Sequence, residues 1–269
     1  MRFLKAAALL SAVLLSAALL NACAGNERRA DATARDFGFD KELVTGAGFR
    51  HVVYRNAMPA AGTLHVYIEG DGIPFARRDQ VAEDPTPRNL LMLRLMRLDS
   101  TASIYVGRPC YFGLNQDPGC GSQWWTSRRY SAEVIAGMAE VVKSQAALVN
   151  ARSIEIYGHS GGGTLALLLA EQIPNVSRVV TMGANLDLAE WARLHGYSSL
   201  DGSISPSETA PLRDDLRVLH LVGSRDTNTP PWMIQHAAQM RGGEPVRIID
   251  GFDHACCWQR LWPSILLPR

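Results

Sequence analysis

The sequence predicts a single-domain α/β fold in which a mostly parallel sheet carries helices on both faces. After residue 37, short β-rich runs alternate with helical patterns, which is typical of strands joined by helical crossovers. The chain has 269 residues, of which 47% are hydrophobic and 20% charged, enough to build a sizeable core. No repeat, heptad array or break in composition divides it, so one domain is expected.

The charge balance excludes several classes of protein. Lys and Arg number 27 against 26 Asp and Glu, a net charge of +1, so the chain lacks the basic excess of nucleic-acid-binding proteins. It is too apolar for general disorder, and 23 Gly and 14 Pro are far below collagen-like levels. A globular protein without a nucleic-acid partner is therefore expected.

The predicted strands are short runs rich in β-branched and aromatic residues. They cover residues 49–54, 64–68, 103–106, 153–157, 177–182, 217–222 and 245–249. Helical patterns between them cover residues 88–98, 131–149, 161–172 and 231–240. In the longest helix, Val134, Ile135, Met138 and Val141 follow the spacing of one apolar face. Residues 107–129 and 186–211 fit neither pattern and are predicted to be long loops of a functional or lid-like kind, the second with a candidate short helix over residues 189–195.

Residues 1–22 have the pattern of a secretory signal peptide. Arg2 and Lys5 precede an uncharged apolar run of 15 residues, 6–20, which is shorter than the roughly 20 residues of a membrane span. Two alternatives are a short membrane anchor and an ordinary signal cleaved elsewhere.

The segment Leu20-Asn21-Ala22-Cys23 resembles the lipobox of bacterial lipoproteins. The resemblance implies that Cys23 is lipidated after the signal is removed, and Ala24 after it favours the outer membrane, facing the periplasm. Residues 23–40 are then expected to be a lipidated cysteine and a flexible, polar tether, and residues 41–269 the folded domain. Without Arg2 and Lys5 the balance becomes 25 basic against 26 acidic residues, so membrane association would rest on the lipid anchor.

The strongest chemical signal is Gly158-His159-Ser160-Gly161-Gly162. This G-x-S-x-G motif follows a predicted strand and opens an apolar helix, which is the setting of a nucleophile elbow. The serine of such an elbow sits on a sharp turn, so its neighbours must be small. The alternative is a glycine-rich turn that merely packs a helix against a strand.

With this motif the chain resembles the α/β-hydrolase family over roughly residues 49–260. The resemblance implies a catalytic triad in the chain order serine, acid, histidine, each after a successive strand. His254, after the last predicted strand, matches the general base. Asp226, after the preceding strand, matches the acid, and Asp187 is the alternative because some members carry the acid one strand earlier.

The family's oxyanion hole uses two backbone N–H groups, one directly after the nucleophile and one after the third strand. The resemblance assigns these to Gly161 and, in the turn Glu69-Gly70-Asp71-Gly72, to Asp71. The alternative for Asp71 is a tight turn in which its side chain bonds its own backbone.

The loop 107–129 is expected to lie near the nucleophile by the topology of the family. Its Trp124 and Trp125 are candidates for a substrate pocket, although aromatic residues are more often part of a core. Cys110 and Cys120 lie in the same aromatic loop and could close it, and an exported chain with four further cysteines is consistent with disulfides. A Cys110–Cys120 bond is one pairing, while Cys256 and Cys257 allow a vicinal bridge or a bond elsewhere.

The resemblances together predict a membrane-anchored serine hydrolase that cleaves a small-molecule or lipid carboxylic ester. Ser160, Asp226 and His254 would form its triad, with no cofactor. A metal site is not expected, because no CxxC pair or HExxH spacing occurs. An amidase, a peptidase or a thioesterase would use the same triad. A non-catalytic binding or assembly lipoprotein is the alternative of another class.

Overall fold

An eight-stranded sheet runs through the centre of the computed structural model, which describes residues 25–57, 59 and 62–267. Its strands are β1 (Asp40–Gly46), β2 (Phe49–Arg55), β3 (Thr63–Ile68), β6 (Ser103–Val106), β7 (Ser153–His159), β8 (Val176–Met182), β9 (Arg217–Gly223) and β10 (Val246–Ile249). Their order is β1-β2-β6-β3-β7-β8-β9-β10. Strand β2 is antiparallel to β1 and β6, and the other pairings in this sheet are parallel. Strands β4 (Phe75–Arg77) and β5 (Gln80–Val81) form a separate antiparallel hairpin.

The helices lie between these strands and at both ends of the described chain. They are α1 (Asn26–Asp36), α2 (Leu91–Met96), α3 (Ala132–Leu148), α4 (Gly161–Gln172), α5 (Leu188–His195), α6 (Pro231–Met240) and α7 (Trp258–Leu266), with short 3-10 turns at Ser122–Trp125 and Pro206–Glu208. Helix α3 begins where its apolar pattern begins, because the Ser131 side chain caps it by accepting from the Val134 amide.

The sheet is buried on both faces, as a parallel sheet must be. Because side chains alternate along a strand, Val66 and Ile156 join one core cluster with α3 and α4, while Tyr67 and Tyr157 join a second cluster with α2 and α7. The predicted mostly parallel sheet with helices on both faces is therefore confirmed.

The segment that was expected to be a flexible tether contains helix α1. Residues 23–40 were predicted to be flexible, but Asn26–Asp36 is helical and buries Ala30 and Ala34, which lie one turn apart on the same face. The Tyr54 hydroxyl donates to Asp31 Oδ1 at 2.6 Å, which ties the helix to β2. Asn26 also donates to Thr86 O, and Lys41 of β1 pairs with Glu27 and Asp31. The segment expected to be a flexible tether is therefore a docked helix. The predicted signal peptide and Cys23 lie outside the described residues.

Candidate active site

Ser160 lies at the sharp turn between β7 and α4. Its backbone angles are φ 53° and ψ −127°, in a region that non-glycine residues rarely adopt. The turn is held by the Ser160 amide, which donates to Met182 O in the neighbouring strand at 2.8 Å. A Cβ on Gly158 or Gly162 would collide with backbone atoms of α4 or β3, so both positions require glycine. The motif therefore forms the strained elbow that its sequence predicts.

The Gly70–Asp71 turn lies directly beside this elbow. A Cβ on Gly70 would stand 3.3 Å from the Ser160 Cβ, a tight contact, so glycine favours the close approach of the turn after β3. Gly161 opens α4, where the first amides of a helix lack intrahelical acceptors and favour negative charge. Both segments that were predicted to supply oxyanion donors thus border the same serine.

His254 follows β10 and meets Asp226, which follows β9. Its Nδ1 lies 2.8 Å from Asp226 Oδ2, and the Asp226 side chain is buried while that of His254 is 24% exposed. The His254 carbonyl accepts from His159 Nε2 at 2.7 Å and from Trp258 Nε1 at 3.2 Å, which fixes the loop that carries the imidazole. This loop and the elbow are therefore joined through His159.

The Asp226 carboxylate is surrounded by donors. Its Oδ1 accepts from the amides of Asn228 and Thr229, each at 2.9 Å, and its Oδ2 also accepts from the Thr229 hydroxyl at 3.1 Å. Burial alone would raise the pKa of Asp226, but the hydrogen bond and charge of His254, together with Thr229, lower it below its usual value. Asp226 is thus an ionised, oriented partner for the imidazole.

Asp187, the alternative acid, has a different task. It is the N-cap of α5, and its Oδ1 accepts from the Glu190 amide at 3.0 Å. The geometry therefore pairs Asp226 with His254 and uses Asp187 to start a helix.

Two residues at this site were not identified from the sequence. The side-chain amide of Asn228 lies 3.1 Å from His254 Nε2, where donation from Nδ2 leaves the Nδ1 proton to Asp226. Gly183, at the end of β8 with φ 53°, lies where a Cβ would stand 2.8 Å from Asp226 Oδ2 and 3.0 Å from His254 Nδ1. A glycine after a strand and an asparagine two positions after Asp226 are the only sequence signals for these roles.

A buried pair lies beneath the elbow. Burial lowers the pKa of His159 to about 3, assisted by the charge of His254, and raises the pKa of Glu69 to about 8 despite hydrogen bonds from the Met92 and Gly70 amides. The two side chains come within 4.0 Å of each other, but with these pKa values both are neutral near pH 7, so this contact is not an ion pair. His159 therefore acts as a neutral donor to the His254 carbonyl.

The Asp71 side chain is 13% exposed and ionised beside Gly161. Burial raises its pKa, but Arg108 at 2.7 Å and Arg129 at 2.9 Å outweigh that effect and lower it, with further donation from the Tyr130 hydroxyl. The carboxylate thus lies in a cage of arginine and tyrosine side chains, so the alternative of a tight turn that bonds its own backbone does not describe it. Its amide remains the candidate oxyanion donor.

Ser160 and His254 line a cavity of about 1450 Å³, open to solvent. Trp124 and Trp125 do not line it, so their assignment to the pocket was wrong. Trp124 packs edge-on against Phe49 with ring centres 5.3 Å apart, and Trp125 is buried, its Nε1 donating to Ala82 O. The walls instead come from the β4–β5 hairpin and from the segment around α5, including Trp191 and Tyr197.

The disulfide between Cys110 and Cys120 is confirmed, and the structure also joins the adjacent Cys256 and Cys257. The first bond encloses residues 110–120 and leaves the two tryptophans outside the closed segment. Within the described part of the chain, no group of three or more His, Cys, Asp or Glu side chains is arranged to hold a metal ion. None of the helices in that same part is long and apolar enough to cross a membrane.

No protein-family model and no curated protein sequence matches the chain. Among solved structures, it is similar to a membrane phospholipase A described as a bacterial virulence factor, with a TM-score of 0.60, 16% identity, and coverage of 98% of this chain and 95% of that one. It is similar to an esterase of Pyrococcus furiosus with a TM-score of 0.62, 12% identity, and coverage of 86% and 91%. A proline iminopeptidase-related protein of Thermus thermophilus gives a TM-score of 0.59, 12% identity, and coverage of 85% and 96%.

These similarities extend over most of each chain, but the sequence identities are too low to assign the activity of any of these proteins to this one. They agree with a mostly parallel eight-stranded sheet packed between helices. The chain has a single-domain α/β-hydrolase fold.

Proposed function

We propose that this protein is a serine hydrolase that cleaves a carboxylic ester through an acyl-enzyme on Ser160. The observation that carries the proposal is the convergence of a strained Ser160, an Asp226–His254 pair at 2.8 Å and one open cavity lined by Ser160 and His254. A protein that only bound or assembled would have no use for this combination.

In the proposed reaction, Ser160 Oγ attacks the ester carbonyl while its proton passes to His254 Nε2. Asp226 keeps the other imidazole proton on Nδ1 and stabilises the imidazolium. The Gly161 and Asp71 amides stabilise the negative oxygen of the tetrahedral intermediate. Collapse releases the alcohol, which takes the proton from His254, and leaves the acyl group on Ser160. Water then attacks the acyl group, with His254 again as base, and releases the acid.

In this scheme, Asn228 makes the hydrogen bond to His254 that the Ser160 hydroxyl makes during the reaction. It donates to His254 Nε2, the atom that must accept the serine proton. Replacement of this bond by the Ser160 hydroxyl when substrate binds would start the reaction without a change of tautomer. An ester is the preferred substrate class because structural neighbours include an esterase and a phospholipase A, although amides and thioesters would use the same groups.

The nucleophile is tested with a fluorophosphonate probe. We expect the wild-type protein to be labelled and Ser160→Ala to remain unlabelled, because only an activated serine attacks the probe. Ser199→Ala is the matched control, since Ser199 lines the same cavity. Labelling that persists in Ser160→Ala would exclude Ser160 as the nucleophile.

The acid is tested by comparing Asp226→Asn with Asp187→Asn on a short p-nitrophenyl ester. Loss of the Asp226 charge should reduce kcat by roughly 10⁴-fold, as for other triads. Asp187→Asn keeps a side-chain oxygen that can accept from the Glu190 amide, so it should leave kcat within about threefold and stability within about 0.5 kcal/mol. A larger loss of kcat at position 187 would overturn the assignment.

We further propose that Cys23 is lipidated and anchors the enzyme to the outer membrane, where it faces the periplasm. The support is the Leu20-Asn21-Ala22-Cys23 sequence after the apolar run. In membrane fractionation of the producing bacterium, Cys23→Ser should move the protein out of the membrane fraction. A Cys23→Ser protein that still partitions with membranes would contradict the anchor.

A further inference from the structure

The mouth of the Ser160 cavity carries three arginines that the proposed reaction does not use. Arg77 and Arg78 belong to the β4–β5 hairpin and its turn, and Arg88 belongs to the following loop. All three are exposed and line the same cavity as Ser160 and His254. Although they come from two separate segments, their positive charges lie at the same cavity.

These guanidinium groups have no protein partner within the described ranges of the chain. Among the residues that the structure describes, none of the three makes an ion pair or a side-chain hydrogen bond, whereas Arg108 and Arg129 deeper in the site are bound to Asp71. Guanidinium groups bind carboxylate and phosphate through paired N–H donors. Three such groups that face one cavity leave that capacity open to a ligand.

The acidic residues of the cavity do not cancel this charge. Glu69 is buried and its pKa is raised to about 8, so it is neutral near pH 7. Asp71 is neutralised by its two arginines. Asp79, in the turn of the hairpin, is the one further carboxylate among the described cavity residues that stands against Arg77, Arg78 and Arg88. A net positive potential at the mouth follows, which would draw in an anion.

The same cavity also offers apolar surface. Phe75 and Val81 face each other across the hairpin and are 42% and 40% exposed, and Tyr197 near α5 is 54% exposed. A volume of about 1450 Å³ exceeds the roughly 300–1,000 Å³ of a pocket for one small molecule. The site therefore has room for an elongated ligand with an apolar part and a charged end.

We propose that Arg77, Arg78 and Arg88 form an anion-recognition site, and that the substrate is an amphiphilic ester with a phosphate or carboxylate group remote from the scissile bond. This inference rests on the proposed ester hydrolysis at Ser160. The arginines bind the charged end, the apolar wall covers the hydrocarbon part, and the ester carbonyl reaches the elbow.

The test compares matched pairs of esters. p-Nitrophenyl pentanoate and the mono-p-nitrophenyl ester of glutaric acid share a five-carbon acyl chain and differ in a terminal carboxylate. Monohexanoylglycerol and its phosphate monoester form the phosphate pair. We expect wild-type kcat/KM to favour the anionic member of at least one pair by about tenfold, through KM, and the preference to shrink as salt rises from about 0.05 to about 0.5 M. Which pair shows the larger preference distinguishes carboxylate from phosphate.

The triple variant Arg77→Gln, Arg78→Gln, Arg88→Gln should reduce this preference by about tenfold and change the neutral esters by less than about twofold. Arg260→Gln is the matched control, because Arg260 is an exposed arginine outside the cavity. If Ser160-dependent hydrolysis of the neutral esters persists while the triple variant leaves the preference unchanged, the anion site is wrong and the hydrolase stands. The anion site is equally wrong if the wild type cleaves the neutral esters and prefers neither anion.

A binding measurement keeps the two proposals separable. In Ser160→Ala, calorimetry with hexyl phosphate, hexanoate and hexanol requires no turnover. We expect at least one of the two anions to bind more tightly than hexanol, and the triple arginine variant to lose that difference. If no ester is cleaved by the wild type, the proposed function fails, and anion binding that is equal with and without the three arginines would then overturn the recognition site on its own.

Discussion

At the scale of single residues, the elbow and the Asp226–His254 pair depend on positions where no side chain fits. Gly183 is such a position, because a Cβ there would enter the space of the hydrogen bond between Asp226 and His254. Its φ of 53° also disfavours other residues. A side chain at this position would therefore strain the backbone and would also disturb the Asp226–His254 pair.

Gly183→Ala separates these costs when it is compared with Gly38→Ala. Gly38 has φ 74° and nothing within 4 Å of an added Cβ, so only the backbone cost of about 1–2 kcal/mol applies there. We expect Gly183→Ala to lose more stability than Gly38→Ala in thermal unfolding, because its Cβ also displaces the pair, and only Gly183→Ala to lose kcat, by about tenfold or more. Unchanged kcat in a folded Gly183→Ala would show that the pair tolerates displacement.

At the scale of elements, a row of tyrosines joins four neighbouring strands. Tyr54, Tyr105, Tyr67 and Tyr157 are successive partners across β2, β6, β3 and β7 on one face of the sheet. Helix α7 covers the inner end of this row, with Trp262 centred 5.8 Å from Tyr67 and 5.0 Å from Tyr157. By packing on this row of tyrosines, α7 therefore stabilises the sheet that carries Ser160.

Truncation of Trp262 tests this contribution. Trp262 is fully buried, so Trp262→Ala should lower the free energy of unfolding by about 3–5 kcal/mol in urea denaturation. Trp232→Ala, at a tryptophan that is 48% exposed on α6, removes the same side chain and should cost less than about 0.5 kcal/mol. Equal losses in the free energy of unfolding at the two positions would contradict a stabilising role for the packing of α7 on the sheet.

At the scale of the whole molecule, His159 and Glu69 tie stability to pH in opposite directions. The folded pKa of His159 is about 3 against 6.5 when unfolded, so the unfolded chain binds the extra proton and stability falls as pH drops from 6.5 to 3. The folded pKa of Glu69 is about 8 against 4.5, so the unfolded chain releases the proton first and stability falls as pH rises from 4.5 to 8. The two effects oppose each other between pH 4.5 and 6.5, which is where stability should be greatest for this pair.

Glu69→Gln should remove the loss of stability that accompanies rising pH. The amide can still accept from the Met92 amide, which donates to Glu69 Oε2 at 3.0 Å, but it has no proton to release. We expect the midpoint of chemical denaturation of Glu69→Gln to fall less than that of the wild type between pH 6.5 and 8. Glu83→Gln, at an exposed glutamate, should follow the wild type. A wild-type midpoint that is flat over this range would exclude a buried, protonated Glu69.

Much of the fold is predictable because it depends on local patterns. The apolar periodicity and the Ser131 cap define α3, and the β-rich runs correspond to seven strands of the main sheet. Strand β1 escaped because it is an edge strand with mostly exposed residues, and α7 because it is short and contains Pro263. Helix α1 escaped because only Ala30 and Ala34 are buried in a polar segment. Helices α1 and α7 are stabilised by contacts distant in sequence, whereas β1 pairs with the adjacent β2.

By itself, the sequence determined the fold class, the elbow at Ser160 and the position of His254 after the last strand, since these follow from short-range patterns and chain order. The tertiary structure alone decided that Asp226 and not Asp187 meets His254, that the Asp71 carboxylate lies in a cage of arginines, and that Trp124 and Trp125 do not line the cavity. The physical reason is that a hydrogen bond or a cavity wall depends on distances between segments far apart in the chain. Those distances exist only once the sheet has brought its strand ends together.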